Sequence, residues 1–133
     1  MKHHIKSPEE MKKLWAEFAK QHKRVLLHGD LGAGKTLFTK GYVEWLNIKD
    51  TVQSPTYAYL NVYDEKVLHI DMYRIEEHEE LVEKWIIDQI TQYEHVVIEW
   101  PKYIDSLPFE DFVEILITKV SETERMVEVL EQI

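Results

Sequence analysis

Gly29-Asp30-Leu31-Gly32-Ala33-Gly34-Lys35-Thr36 fills every fixed position of the pattern G-x-x-x-x-G-K-[ST]. Three of the chain's four glycines lie inside it, so backbone freedom is concentrated where a chain must curl around an anion. The flanks restrict the fold further. Arg24-Val25-Leu26-Leu27-His28 is a short apolar run of the kind a buried parallel strand shows. After the loop, Leu37, Phe38, Tyr42, Trp45 and Leu46 recur at helical spacing with Gly41 on the same side, and Asn47 supplies a stop. Strand, loop and helix in that order wrap backbone N–H groups and a positive helix end around phosphates. Asp30, Leu31, Gly32, Ala33, Gly34 and Leu37 would then border a nucleotide triphosphate, Lys35 would reach its β and γ phosphates, and the Thr36 hydroxyl would bind Mg²⁺. The Asp30 carboxylate is expected to turn away from the anion.

The remaining chain reads as a mixed α/β sheet. Ser7-Pro8-Glu9-Glu10 is a helix start with Ser7 as N-cap and Glu10 completing a capping box, followed by a Met11, Leu14, Trp15, Phe18, Ala19 stripe that borders the sheet or a nucleobase. Residues Tyr57 to Tyr63 and Val67 to Asp71 form two strands around Asp64-Glu65-Lys66, a hairpin. Glu76 to Gln92 is helical, with Leu81, Val82, Trp85, Ile86 and Ile90 on its apolar side, and its acidic run is a solvated face. His95 to Trp100 is a buried strand ended by Pro101, and Phe112 to Val120 with Arg125 to Ile133 makes a last antiparallel hairpin. The expected fold is a P-loop NTPase-like sheet, parallel at its centre, with antiparallel hairpins at its sides and helices on both faces. All 133 residues read as one domain.

Composition removes several function classes. Without cysteine there are neither disulfides nor thiolate metal sites; the seven histidines lack metal-like helix spacing, and His3-His4 reads as a solvated, frayed terminus. No apolar run approaches membrane-spanning length and no signal-like start is present, so a cytoplasmic protein is expected. A net charge of −9 with only three arginines argues against a chain whose main work is gripping nucleic acid.

A phosphate loop needs acidic help to hold Mg²⁺, and two apolar strands end in a carboxylate, Asp71 and Glu99. Either fits as metal partner, with the other positioning or deprotonating the attacking water. Ser54-Pro55-Thr56 lies where P-loop switch proteins carry a threonine that senses the γ phosphate, although the same residues also suit a plain turn. Arg74 suits a phosphate, a partner carboxylate or a surface ion pair.

Taken in order, the phosphate loop, Ser54-Pro55-Thr56-Tyr57, Asp71-Met72-Tyr73-Arg74 and Glu99-Trp100-Pro101 resemble the motif set of the bacterial TsaE family, over roughly residues 7 to 130. Arg125 fits the basic residue that often opens that family's last strand. The resemblance implies the ATPase component of the machinery that makes N6-threonylcarbamoyladenosine at position 37 of tRNA, docking on the TsaB and TsaD proteins to support turnover, with tRNA touched only indirectly. It implies ATP and Mg²⁺ as ligands, Lys35, Asp71 and Glu99 as catalytic residues, Thr36, Asp71 and Glu99 around the metal, Thr56 near the γ phosphate, and Trp100 lining the site. The chain departs from the pattern with Met11 and Leu37 at positions where threonine is frequent, Tyr57 for phenylalanine, and Lys102 for an acid. A small-molecule kinase would share the loop but bring an arginine-rich lid. A GTP switch would bring D-x-x-G and N-K-x-D, which Asn47-Ile48-Lys49-Asp50 does not match. A nucleotide-binding module without hydrolysis is the other alternative.

Overall fold

A computed structural model of the chain describes residues 2–30, 34–52, 60–73, 80–101, 107–108 and 111–132. Seven strands and three helices follow in the order β1 (Lys2–Ile5), α1 (Pro8–Gln21), β2 (Arg24–His28), α2 (Lys35–Trp45), β3 (Leu60–Tyr63), β4 (Val67–Asp71), α3 (Glu80–Ile90), β5 (His95–Glu99), β6 (Val113–Lys119) and β7 (Arg125–Gln132). The strands form one sheet in the order β1-β7-β6-β2-β5-β4-β3. Its four central strands, β6-β2-β5-β4, are parallel, and the hairpins β3–β4 and β6–β7 are antiparallel, as the patterning predicts.

One prediction is corrected at the first residues. His3 and His4 are not a frayed end: they lie in β1, paired with Val127 and Met126 of β7, and His4 Nε2 sits 3.4 Å from a Glu124 carboxylate oxygen. Only Ile5 of this strand is buried, so it carries almost no apolar signal; the ladder to β7 places it.

Helix α1 starts as read. Ser7 is extended and its Oγ accepts the Glu10 N–H at 3.2 Å, while the Glu10 carboxylate accepts the N–H of Lys6 at 2.8 Å, one residue earlier than in the usual box. Met11, Trp15, Phe18 and Ala19 are buried. Trp15 meets Phe38 of α2 edge to face at 4.4 Å between ring centroids, and Gly41 lets the two helices approach there: a Cβ at position 41 would lie 3.0 Å from Trp15 Cβ. Helix α2 ends as expected, with Asn47 in the left-handed region at φ 60° and the N–H groups of Asn47 and Ile48 on the Glu44 and Val43 carbonyls.

Helices α1 and α2 cover one face of the sheet, with Val25, Leu27, Val97, Ile115 and Val127 beneath them. The other face packs Leu26, Leu68, Ile70, Val96 and Ile98 against Ile86 and Ile90 of α3. The odd and even residues of β2 thus face opposite cores, which is why its sequence is apolar throughout. Three expected core residues are exposed instead: Trp45 on α2 and Leu81 and Trp85 on α3, with Leu81 at 85%. Trp45 is the last residue of α2, and Leu81 and Trp85 lie to the side of α3 away from its buried Ile86 and Ile90.

Candidate functional site

The parallel strands β2, β4 and β5 end nearly flush. Register pairs Leu27 with Glu99 and Asp71 with Glu99, so both strand-end carboxylates stand beside the point where β2 passes into the glycine-rich loop. Glu99 lies two residues from Val97 and Asp71 two from His69, which turns both toward the α1–α2 face of the sheet. Open α/β sheets bind ligands outside the carboxyl ends of such strands.

At the opposite wall the loop becomes α2. Gly34 is the N-cap with φ 112°, a left-handed conformation that a side chain would strain. Lys35 follows as the first helical residue and is only 5% exposed. Its Nζ donates to the Gly29 carbonyl at 2.5 Å and the Asp30 carbonyl at 3.0 Å, and lies 4.6 Å from the Trp100 ring centroid. Burial lowers the pKa of Lys35, while the negative charges of Glu99, Asp71 and Asp30 pull it back up. The ammonium is thus tethered among its own loop's carbonyls with two carboxylates nearby. Thr36 is half-buried in the first turn of α2; Leu37 is half-buried against the core; Asp30 is exposed. Leu31, Gly32, Ala33 and Thr56, with the whole of Ser54-Pro55-Thr56-Tyr57, Arg74 and Lys102, lie outside the described residues.

Asp71 Oδ1 accepts the Tyr73 N–H at 2.9 Å. Burial raises the pKa of Asp71, the Tyr73 N–H opposes that, and the charge of Glu99 adds to the rise. Glu99 is 3% exposed, and its Oε2 contacts His69 Nε2 on the adjacent strand. Trp100 closes the site with φ 53°, a conformation that costs a non-glycine residue about 1–3 kcal/mol. Its N–H bonds the Leu27 carbonyl at 3.0 Å, its ring lies 5.0 Å from that of Tyr73, and its Nε1 is buried without a hydrogen-bond partner among the described residues.

Two cavities lined by described residues adjoin the loop. One of about 210 Å³ opens beside Gly29, Asp30 and Trp100 against Thr118 and Lys119 at the end of β6. The other, about 100 Å³ and mostly apolar, is lined by Ser7, Met11, Gly34, Leu37, Thr123 and Arg125. The start of α1 therefore borders the loop, as one reading of its stripe requires, and Arg125 opens β7 beside Gly34, its Nε 3.9 Å from where a Cβ would stand.

The donor set suits a magnesium-bound phosphate. It offers hard oxygens from two carboxylates and a hydroxyl next to an ammonium and a helix N-terminus. Among the described residues no group of three or more His, Asp or Glu stands ready to cage a metal.

Sequence reading missed His69 and Tyr63. Both are buried on the same face as Asp71 and Glu99, and Tyr63 OH lies 3.0 Å from His69 Nδ1. A signal existed: His69 alternates with Leu68 and Ile70 in a strand otherwise apolar, two residues before Asp71, and so shares its face.

The model of the family described as threonylcarbamoyl adenosine biosynthesis protein TsaE matches residues 5–127. The chain is 37% identical over 129 residues to the tRNA threonylcarbamoyladenosine biosynthesis protein TsaE of Bacillus subtilis, covering 90% of this chain and 78% of that one. It is 33% identical over 131 residues to the protein of the same name from Rickettsia prowazekii, covering 93% and 90%. Its fold is similar to the crystal structure of Bacillus subtilis YdiB, with a TM-score of 0.71 and 27% identity over 97% of this chain and 83% of that one. A family match that spans nearly every described element, including the loop and both strand-end carboxylates, leads to one assignment: the chain belongs to the TsaE family of threonylcarbamoyl adenosine biosynthesis proteins.

Proposed function

We propose that this chain binds and hydrolyses ATP with Mg²⁺ as the accessory subunit of the tRNA threonylcarbamoyladenosine machinery, supporting turnover by a TsaB–TsaD pair. The observation that carries the proposal is the convergence of Lys35 at the helix N-terminus with Asp71 and Glu99 at the flush ends of two parallel strands. The assignment to the TsaE family supplies the biosynthetic setting.

In this reading Lys35 exchanges its Gly29 and Asp30 carbonyls for the β and γ phosphates, so the ammonium that now bonds these carbonyls comes to hold the anion. Thr36 and Asp71 would hold Mg²⁺, which when bound would neutralise phosphate charge. Glu99, more deeply buried and held at one oxygen by His69, orients the attacking water through its other oxygen and accepts its proton. Arg125 and the apolar cavity between α1 and Leu37 receive the base side of the nucleotide. With few arginines, the chain relies on its partners for full charge stabilisation, and hydrolysis alone is slow.

The test is Mg²⁺-dependent ATP hydrolysis by the chain alone and mixed with its TsaB–TsaD pair, with Lys35→Ala as control. Stimulation in the mixture, lost in the variant, is the expected result. Equal rates with and without the pair would identify a standalone phosphotransferase, and binding without hydrolysis in either would identify a nucleotide-binding module.

A further inference from the structure

We infer that His69 is a positioning residue for Glu99 and that Tyr63 fixes the tautomer in which it acts. The inference rests on the reading of Glu99 as the group that orients water.

Three side chains on three neighbouring strands make the device: Tyr63 on β3, His69 on β4 and Glu99 on β5. His69 has no exposed side-chain surface and Glu99 has 4%. His69 Nε2 contacts Glu99 Oε2, and Nδ1 lies 3.0 Å from Tyr63 OH. The direction of the chain follows from what each group can do. A carboxylate only accepts, so the N–H of a neutral imidazole belongs on Nε2, facing Glu99. Nδ1 then has only a lone pair, and the Tyr63 hydroxyl must donate to it. The Tyr63 oxygen keeps acceptor capacity toward Asn61 Nδ2, 3.5 Å away. Along these three contacts each donor points toward Glu99, where they end.

Two consequences follow. One carboxylate oxygen is pinned inside the sheet by His69, which restricts the directions open to the other, and the charge of Glu99 is felt at Lys35. A buried carboxylate also keeps a strong donor, without which its charge would be poorly solvated. Because His69 is sealed from solvent it touches neither nucleotide nor water, and its effect passes through Glu99 alone. Orienting partners of this kind are worth about 10- to 100-fold when they act behind a metal site.

The experiment uses the full chain with its TsaB–TsaD pair, measuring kcat, KM and ATP affinity by calorimetry, with melting curves as the folding control. His69→Ala should lower kcat about 10- to 100-fold with KM and ATP affinity within about 3-fold. His69→Gln, whose amide N–H can replace Nε2–H, should recover most of the loss, and Tyr63→Phe should lower kcat about 3- to 10-fold. Imidazole ¹⁵N spectra should show His69 protonated at Nε2, a readout independent of activity. A wild-type kcat in His69→Ala, equal losses in the Ala and Gln variants, or a proton on Nδ1 would overturn the inference. Glu99→Gln separates the two levels. If it is slow while His69→Ala is not, only the positioning role falls; if it turns over normally, the role of Glu99 falls and the inference with it.

Discussion

Gly41 offers a substitution whose sign the structure decides. In an exposed helix, replacing glycine by alanine gains about 0.8–1.0 kcal/mol from helix propensity. At position 41 the new Cβ would meet Trp15 Cβ at 3.0 Å, Cδ1 at 3.2 Å and Cγ at 3.5 Å. Trp15 has no exposed surface and is wedged against Phe38 and Phe18, so it cannot yield the few tenths of an ångström required. Overpacking of this kind costs about 1–3 kcal/mol, which outweighs the propensity gain and leaves Gly41→Ala about 1 kcal/mol less stable. With an unfolding entropy of about 2.1 cal/mol/K per residue, that is a fall in Tm of about 3–4 °C. The assay is urea unfolding and calorimetry of Gly41→Ala in the wild type and in Trp15→Leu. The smaller leucine lets α1 and α2 settle, so in that background the alanine should be neutral or stabilising by up to about 1 kcal/mol, a coupling of about 1–2 kcal/mol. A rise in Tm for Gly41→Ala in the wild-type background would refute the reasoning, because it would mean the helix interface is not closed at this point.

Lys35→Ala should weaken ATP binding by about 1.5–3 kcal/mol, roughly 10- to 150-fold, by loss of charge-assisted bonds, measured by calorimetry. Asp71→Asn should raise Tm, because burial and the nearby Glu99 charge disfavour its ionised carboxylate, yet lower Mg²⁺-dependent turnover at least about tenfold if Asp71 holds the metal as proposed. The sign is pH-dependent: the folded pKa of Asp71 lies above 3.8, so the destabilisation is fully present above that folded value and fades as pH falls through it, taking the Asn advantage with it. Burial lowers the pKa of His95 and His22 below 6.5, so the unfolded chain binds more protons there and stability falls as pH drops below 6.5. A His22→Gln/His95→Gln double variant should show a flatter decline between about pH 7.5 and pH 5 in urea unfolding.

Much of the sheet was legible because local and global signals agree. Val25-Leu26-Leu27 has to be apolar on both faces, and Asp64-Glu65 turns the β3–β4 hairpin with both residues at positive φ. Strand order was not legible: β2 lies between β5 and β6, and nothing within Arg24–His28 names neighbours so distant in sequence. The short β1 was missed for the same reason, since β7 and not its own residues keeps it in place. At the site, loop pattern and strand ends single out Lys35, Asp71 and Glu99, and the structure brings the three together. The His69 link to Glu99 was hidden because it joins side chains 30 residues apart on adjacent strands. Trp45, Leu81 and Trp85 show the converse, apolar residues whose exposure no periodicity revealed.

The position of β2 also sets an order of events during synthesis. The strand that feeds the phosphate loop is made early, but its hydrogen-bonding neighbours are His95–Glu99 and Val113–Lys119, and β1 pairs only with Arg125–Gln132. A nascent chain therefore carries β2 without its hydrogen-bonding neighbours until β5 and β6 have left the ribosome. The candidate site therefore matures only after β6 is made, and a chain cut short anywhere before β6 would carry the complete motif without the sheet to hold it.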